Sequence, residues 1–288
     1  SYEEGEFREE GFEYVPLRPA GSMSATATDM ARFMLAHLEG GTLEGTRILE
    51  RDTVEGMHGG RHSNHPEINS VGYGFYEMNV GGAHAVGHDG ATLLFHSMMS
   101  LFPGEDVGVF VSYNTTTAAG VHRDLMEAFV EEFVPTEEAG TIEPEGAPSR
   151  VEELEGWYRT TRISETTYEK VFGAASATEV RVEDDGTLVT SPFVIDEEKR
   201  WVEVEPLVFR EVDGHERLAF GEDDGEVRRF FRDRNPVAGN EKLSRSEEPI
   251  VQSAVFGVSS LVLMSGIAGW SGAALWRRAR RGLASYAD

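Results

Sequence analysis

Histidine is the side chain that most often binds metals and relays protons near neutral pH, and it recurs at close spacing between residues 58 and 65. His58, His62 and His65 are spaced as the ligands of a metal cluster would be. However, the glycine pair after His58 and the proline after His65 break any helix that would place the three imidazoles on one face. No acidic side chain is placed as in zinc motifs. We therefore predict a solvated loop, and the sequence indicates neither a metal nor a cofactor.

A second candidate is His88, which lies with Gly90 in the stretch GHDGAT at residues 87–92. An imidazole can donate a hydrogen bond or relay a proton, because it titrates near neutral pH. A lone His-x-Gly triplet is weak evidence, since glycine is common. A half-buried strand histidine that is satisfied by a neighbour is the alternative interpretation. The choice between a functional histidine and a half-buried strand histidine depends on the secondary structure around His88.

The pattern of apolar residues predicts an antiparallel sheet flanked by helices, with His88 on one of its strands. Amphipathic helices, the first with Thr28 as a candidate cap, are predicted over residues 27–39, 51–58 and 118–134. Short β-type runs, separated by turn sequences rich in Gly and Pro, cover residues 73–76, 84–88, 93–102 and 107–113. The predicted fold class is α+β, with consecutive antiparallel hairpins.

Beyond residue 134 the composition changes twice. Residues 135–150 are rich in Pro, Gly and Glu, which is typical of a linker. Asp-Gly turns between alternating apolar runs then predict a small all-β domain, a meander or barrel, over residues 151–234. A juxtamembrane linker over residues 235–249 follows. The first domain is accordingly residues 1–134.

Residues 250–276 contain no charged side chain and predict one transmembrane helix. At about 1.5 Å per residue they would extend roughly 40 Å, more than the about 30 Å of a hydrocarbon core. Four arginines follow between residues 277 and 281. By the positive-inside rule, the basic tail, residues 277–288, is cytoplasmic and the preceding domains are extracellular. A buried core helix is the alternative, but few soluble cores need so long an uncharged run.

The charge of the chain excludes one class of partner. Its 51 acidic residues outnumber 26 basic ones and give a net charge of -25, so the surface would repel nucleic acid. An acid-rich folded protein is also typical of a high-salt environment, where counterions screen self-repulsion, and we expect a halophilic source. The chain has no cysteine, so neither a disulfide framework nor a thiolate metal site can form.

Three stretches in this order resemble the penicillin-binding-protein and class C beta-lactamase-like serine hydrolases. Residues 19–33, PAGSMSATATDMARF, are similar to the family's PAGGxxSTAxDMARF. Residues 87–92 resemble its His-x-Gly strand, the counterpart of Lys-Thr-Gly in other members. Residues 95–103 and 107–114 resemble the two strands that follow. The resemblance covers roughly residues 1–135, and the domain after the linker resembles the accessory β-domain that many such proteins carry.

This resemblance implies roles for three residues of the strand. In acyl transfer an oxyanion develops on the attacked carbonyl, and backbone N–H groups stabilise it. The Ala91 N–H would be one such donor, and Gly90 would be small so that the substrate can lie against the strand. His88 would face the cleft as a hydrogen-bond donor and proton relay. Asp89 would point to the opposite face, because strand side chains alternate.

The family's nucleophile is absent from this part of the sequence. Its Ser-x-x-Lys and its Tyr-x-Asn or Ser-x-Asn motif both precede the PAG stretch, and residues 1–18 form neither. The run from Thr167 to Lys170 and the run from Ser112 to Asn114 fit these motifs formally, but both follow His88, and we interpret them as coincidences. We therefore expect a fragment that is inactive alone and lacks the N-terminal half of the same protein.

Two hypotheses of function follow. The first is an extracellular serine hydrolase, anchored in the membrane, that cleaves a small-molecule or peptide amide or ester through an acyl-enzyme. The second is a non-enzymatic, membrane-anchored envelope or binding protein derived from that family. An upstream Ser-x-x-Lys would favour the first hypothesis. The resemblance does not choose among amide and ester substrates, because this scaffold serves many of them.

Overall fold

An antiparallel sheet between two layers of helices forms the first part of the chain. The computed structural model describes residues 2–3, 6–16, 20–115, 120–136, 139–194 and 198–284. The elements of the first part are β1 (Tyr2–Glu3), β2 (Glu6–Phe7), α1 (Ala27–Leu38), β3 (Thr42–Leu43), β4 (Thr46–Arg47), α2 (Arg51–His58), β5 (Tyr76–Val80), β6 (Ala83–Ala91), β7 (His96–Phe102), β8 (Val107–Tyr113) and α3 (Val121–Phe133). The predicted mixture of helices and antiparallel strands is confirmed.

The main sheet has four strands in the order β5-β6-β7-β8, all antiparallel. Because successive side chains alternate between its faces, β6 contributes Val86 to one core and Ala85 to the other. Val86 packs with Met34 of α1 on the first face. Ala85 packs with Met126 and Val130 of α3 on the second face. The two helical layers thus hold β6 from both sides.

The N-cap of helix α1 lies two residues before the predicted one. The cap is Thr26, not Thr28: the Asp29 N–H donates to the Thr26 hydroxyl at 3.2 Å, and the Thr26 N–H donates to the Asp29 carboxylate at 3.0 Å. This reciprocal pair is a capping box, which satisfies two N–H groups where a single side chain would satisfy one. Asp29 therefore decides which threonine caps the helix.

A closed eight-stranded barrel forms the second part of the chain. Its elements are α4 (Val151–Leu154), β9 (Gly156–Thr160), a 3-10 segment (Tyr168–Ser176), β10 (Ala177–Val182), β11 (Leu188–Pro192), β12 (Lys199–Glu205), β13 (Val208–Glu211), β14 (Arg217–Asp223), β15 (Glu226–Arg232) and β16 (Asn240–Lys242). Strand β9 pairs with both β10 and β16, which closes the barrel. Aromatic side chains, among them Tyr158, Trp201 and Phe220, fill the interior.

The two segments that were predicted as linkers, residues 135–150 and 235–249, both contact the barrel. Strand β16 lies inside residues 235–249, where a juxtamembrane linker is predicted, and its hydrogen bonds to β9 and β15 make it part of the barrel. The predicted linker 135–150 contacts the barrel as well. The Ile142 N–H donates to the Val212 carbonyl oxygen at 3.1 Å, and the Ser149 N–H donates to the Glu203 carboxylate at 2.6 Å.

A single long helix, α5 (Pro249–Ala284), follows the barrel. An 18-residue window within its segment Pro249–Ala273 has a mean hydropathy of 1.8 and is not buried against the rest of the chain, and the segment is long and apolar enough to cross a membrane. Pro249, its first residue, is buried. The helix continues to Ala284, so the first part of the predicted basic tail is helical. Residues 285–288 of that tail lie outside the described residues.

The loop between α2 and β5 joins the two parts. Ile68 packs in a small cluster with the barrel residues Val208 and Phe231. The Asn69 N–H donates to the Asp233 carboxylate at 2.9 Å, and the Glu67 carboxylate pairs with the Arg217 guanidinium at 2.8 Å. The predicted loop is therefore a contact surface for the barrel.

The three histidines near this loop do not share one environment. His58 ends α2 and is half-buried, so the expectation of a solvated loop histidine is wrong for it. His58 Nε2 lies 3.1 Å from Nδ1 of His37, which is buried on α1. His62 is exposed and His65 is half-buried. Among the described ranges, no three His, Asp or Glu side chains are placed to hold a metal ion.

The buried His37–His58 pair predicts an acid-sensitive fold. Burial first, and then the neighbouring His58, lowers the pKa of His37 to about 4 from an ordinary value of 6.5. The unfolded chain therefore binds a proton before the folded one does, so stability is fully present above pH 6.5 and is lost as the pH falls toward 4. This group contributes up to about 3 kcal/mol to that loss.

Urea unfolding between pH 7.5 and pH 4.5 would measure the effect. The His37→Phe variant, which keeps an aromatic ring beside Phe33 and Phe75, should lose less stability than the wild type over that range. The matched control is His84→Phe, at an exposed strand position. Equal pH dependence of the wild type and the His37→Phe variant would contradict the assignment.

Candidate functional site

Residues 88–91 of β6 extend beyond the end of β5. The pairing of β5 with β6 stops at Tyr76 and Gly87, whereas the pairing of β6 with β7 continues to Ala91 and His96. Among the described strands, none pairs with the other side of residues 88–91. His88, Gly90 and Ala91 are all exposed. The stretch is thus a local sheet edge, although β6 as a whole is an inner strand.

The hydrogen bonds of the hairpin fix which N–H groups face this open edge. The Thr92 N–H donates to the Phe95 carbonyl oxygen at 2.8 Å, toward β7. In an antiparallel ladder the backbone groups of successive residues point to opposite sides. The N–H groups of Ala91 and Asp89 therefore point away from β7. The Asp89 N–H confirms this direction, because it donates to the Tyr76 hydroxyl at 2.8 Å.

The side chain of Asp89 lies on the α3 face, opposite to His88, as predicted. Its carboxylate accepts a hydrogen bond from the Tyr76 hydroxyl and pairs with the Arg123 guanidinium of α3. Burial raises the pKa of Asp89, but the Tyr76 hydroxyl and then Arg123 outweigh burial and hold the pKa below its ordinary value. Asp89 accordingly carries a negative charge and links the strand to α3, and it does not face the cleft.

His88 lies over the edge of the sheet. Its ring centroid is 5.2 Å from that of Tyr76, at a tilted angle, and its side chain is exposed. It is therefore not the half-buried strand histidine of the alternative interpretation. A Cβ added at the neighbouring Gly90 would meet none of the described atoms within 4 Å, so packing within this chain does not require glycine there.

Glu13 binds the turn that follows Ala91, a contact that was not predicted from the sequence. Its carboxylate accepts hydrogen bonds from the Thr92 hydroxyl at 2.6 Å, the Leu93 N–H at 2.9 Å and the Leu94 N–H at 3.1 Å. The Thr92 hydroxyl, with the two backbone groups, lowers the pKa of Glu13. No local pattern marks this residue, because its partners lie about 80 positions away in sequence.

The two formal motif matches lie elsewhere. Ser112 is on β8, and its hydroxyl lies 2.8 Å from that of Ser97 on β7, so it is separated from β6 by one strand. Thr167 caps the 3-10 segment of the barrel, where its hydroxyl accepts from the Glu169 N–H. Neither residue is next to residues 88–91 in the sheet. Pro19, the first residue of the PAG stretch, lies outside the described residues.

One family model matches the first part of the chain, residues 2–130. The family model described as "Beta-lactamase" matches this range. The match supports a beta-lactamase-like serine hydrolase superfamily for this part of the chain. No curated protein sequence matches the chain.

Two solved structures are similar to the chain at low identity. A crystal structure of SurE with D-Leu is 19% identical, with a TM-score of 0.44, and the likeness covers 76% of this chain and 50% of that one. A crystal structure of SurE is 18% identical, also with a TM-score of 0.44, and the likeness covers 76% of this chain and 48% of that one. The chain thus spans about half the length of these structures.

Proposed function

We propose that this chain belongs to a membrane-anchored serine hydrolase that cleaves an amide or ester through an acyl-enzyme, and that the Ala91 N–H is one of its two oxyanion donors. The observation that carries the proposal is the direction of this N–H: it points away from β7 into the open edge, next to exposed Gly90. Backbone donors at a place where charge develops are the largest single contribution in acyl transfer. The family match over residues 2–130 supports the chemistry.

The proposed reaction uses this edge in two steps. The hydroxyl oxygen of a serine, supplied by the rest of the full-length protein, bonds to the substrate carbonyl carbon while its proton passes to a base. The carbonyl electron pair moves to oxygen, where the Ala91 N–H stabilises the negative charge. The bond to the amine or alcohol then breaks, and the leaving group takes the proton. Water repeats the sequence on the acyl-enzyme and releases the acid.

His88 and Gly90 serve the same step in this proposal. His88 would donate a hydrogen bond to the substrate or relay the proton to the leaving group, because an exposed imidazole at the edge can reach both. Gly90 leaves space above the strand that no described residue fills. A substrate backbone lying against the edge would fill it, and a larger residue at this position would exclude the substrate.

We also propose that α5 anchors the protein in a membrane with both folded parts outside the cell. Its apolar segment is long enough to cross a hydrocarbon core, and apart from Pro249 no residue of this segment is buried in the chain. The arginines between residues 277 and 281 favour a cytoplasmic C-terminus. The acidic surface, with a net charge of -25, suits a high-salt exterior.

Acylation of the full-length protein tests the proposed function. A fluorescent penicillin or a chromogenic ester, incubated with the protein that includes its upstream half, should leave a covalent adduct on the serine of a Ser-x-x-Lys motif, detected by mass spectrometry. The present chain alone should remain unlabelled. Absence of both labelling and ester turnover in the full-length protein would contradict the proposal and favour the non-enzymatic binding protein.

A further inference from the structure

The open edge of β6 carries two N–H groups, not one. Those of Asp89 and Ala91 both point away from β7, since residues two apart in a strand point the same way. The Asp89 N–H is occupied by the Tyr76 hydroxyl at 2.8 Å. No described backbone or side-chain acceptor is paired with the Ala91 N–H at this edge.

We propose that Tyr76 is a positioning residue that sets the register of the substrate by occupying the Asp89 N–H, so that a substrate carbonyl finds a donor at Ala91 alone. This inference rests on the proposed function. Two N–H groups on the same edge are roughly 7 Å apart. A carbonyl bound at Asp89 would therefore lie far from the nucleophile, and such a complex could not react.

Packing of the ring and a set of hydrogen bonds hold the Tyr76 hydroxyl in place. The ring is only 9% exposed and packs in the core between the sheet and α3. The hydroxyl donates to the Asp89 carboxylate while it accepts from the Asp89 N–H. Arg123 of α3 pairs with the same carboxylate and fixes it. Burial first, and then the hydrogen bond to Asp89, raise the pKa of Tyr76 well above its ordinary value, so the hydroxyl keeps its proton.

The position of Tyr76 explains why a side chain rather than a strand covers this N–H. β5 pairs with β6 only as far as Gly87, opposite Tyr76 itself. A strand that extended further would cover the Ala91 N–H together with that of Asp89. The hydroxyl of Tyr76, the first residue of β5, accepts a hydrogen bond from the Asp89 N–H and leaves the Ala91 N–H unoccupied.

Pre-steady-state acylation of the full-length protein by a fluorescent penicillin tests the role. The Tyr76→Phe variant keeps the ring but frees the Asp89 N–H, so part of the substrate should bind in the unreactive register. Unproductive binding lowers the acylation rate constant and the dissociation constant together, by about two-fold or more, and leaves their ratio unchanged. Tyr73→Phe, at an exposed tyrosine before β5, should change neither constant.

Two kinetic outcomes would overturn the inference. One is a Tyr76→Phe variant whose two constants equal those of the wild type. The other is a fall of their ratio by about ten-fold, which is expected if the hydroxyl merely orders the strand or acts on the transition state. A wild-type protein that reacts with neither penicillin nor ester would contradict the proposed function itself, and the role of Tyr76 in substrate register would fall with it.

Amide hydrogen exchange on the present chain tests the geometry without a substrate. The Asp89 N–H should exchange at least about ten-fold more slowly than the Ala91 N–H, and Tyr76→Phe should abolish the difference. The N–H groups of Met98 and Ser100 on β7 report whether the sheet remains folded. Equal exchange of the Asp89 and Ala91 N–H groups in the wild type would overturn the inference.

Discussion

Replacement of Ala91 by proline in the full-length protein is expected to lower the acylation rate constant by about 100-fold to 1,000-fold. Proline has no N–H, so one of the two proposed oxyanion donors disappears, and loss of one such donor costs about this factor in other acyl-transfer enzymes. Affinity for the intact penicillin or ester should change much less, because the oxyanion exists only after attack. Stopped-flow acylation separates the two constants.

The sheet should tolerate this proline. The Ala91 N–H points away from β7, so the substitution removes no hydrogen bond between β6 and β7. The matched control is Ala91→Ser, which changes the side chain, keeps the N–H, and should acylate within about three-fold of the wild type. A melting temperature close to that of the wild type would show that the proline variant is folded. Wild-type acylation by a folded Ala91→Pro variant would contradict the assigned role.

Removal of α5 is expected to release the protein from membranes almost completely. A chain that ends at Glu248 retains β16, which closes the barrel before the helix begins. Apart from Pro249, no residue of the apolar segment Pro249–Ala273 is buried in the chain, so its loss should leave the folded parts intact. Fractionation of cells should find the whole protein in the membrane pellet, extractable by detergent but not by high salt, and the truncated chain in the soluble fraction.

A pair of point substitutions would separate membrane insertion from simple adhesion. Aspartate at Leu263, near the middle of the apolar segment, costs about 3 kcal/mol or more on insertion. The same change at Gln252, near its start, should cost far less. Leu263→Asp should therefore reduce the membrane-bound fraction and Gln252→Asp should not. Equal fractions for both variants, or pelleting of the truncated chain with membranes, would contradict a spanning helix.

Periodicity in the sequence located the three helices and three of the four strands of the main sheet, whereas the strand predicted over residues 73–76 overlaps β5 at Tyr76 alone. Helix α1, helix α2 and the strands that carry residues 84–88 and 107–113 lie close to their predicted positions, because each has an apolar face that must be buried. Strand β16 has three residues, only half-buried or exposed, and hence no pattern to detect. Its existence depends on the unpaired edges of β9 and β15, which only the closed barrel provides.

In the candidate site, too, features that depend on neighbouring residues were predicted, and contacts between residues far apart in the chain were not. The sequence predicted that His88 and Asp89 face opposite sides, since this needs only the alternation of a strand. It did not predict that Tyr76, Arg123 and Glu13 fix the strand around them, because each acts on residues that are distant in the chain. The end of β5 at Tyr76, which opens the edge, likewise depends on the pairing of strands.

A crystal structure of the full-length protein acylated by a penicillin or an ester would test the proposed oxyanion donor most directly. We expect the carbonyl oxygen of the acyl group to lie about 2.7–3.1 Å from the Ala91 nitrogen, in line with its N–H. An acyl carbonyl that points away from residues 88–91, or that lies beyond hydrogen-bond distance of Ala91, would contradict it.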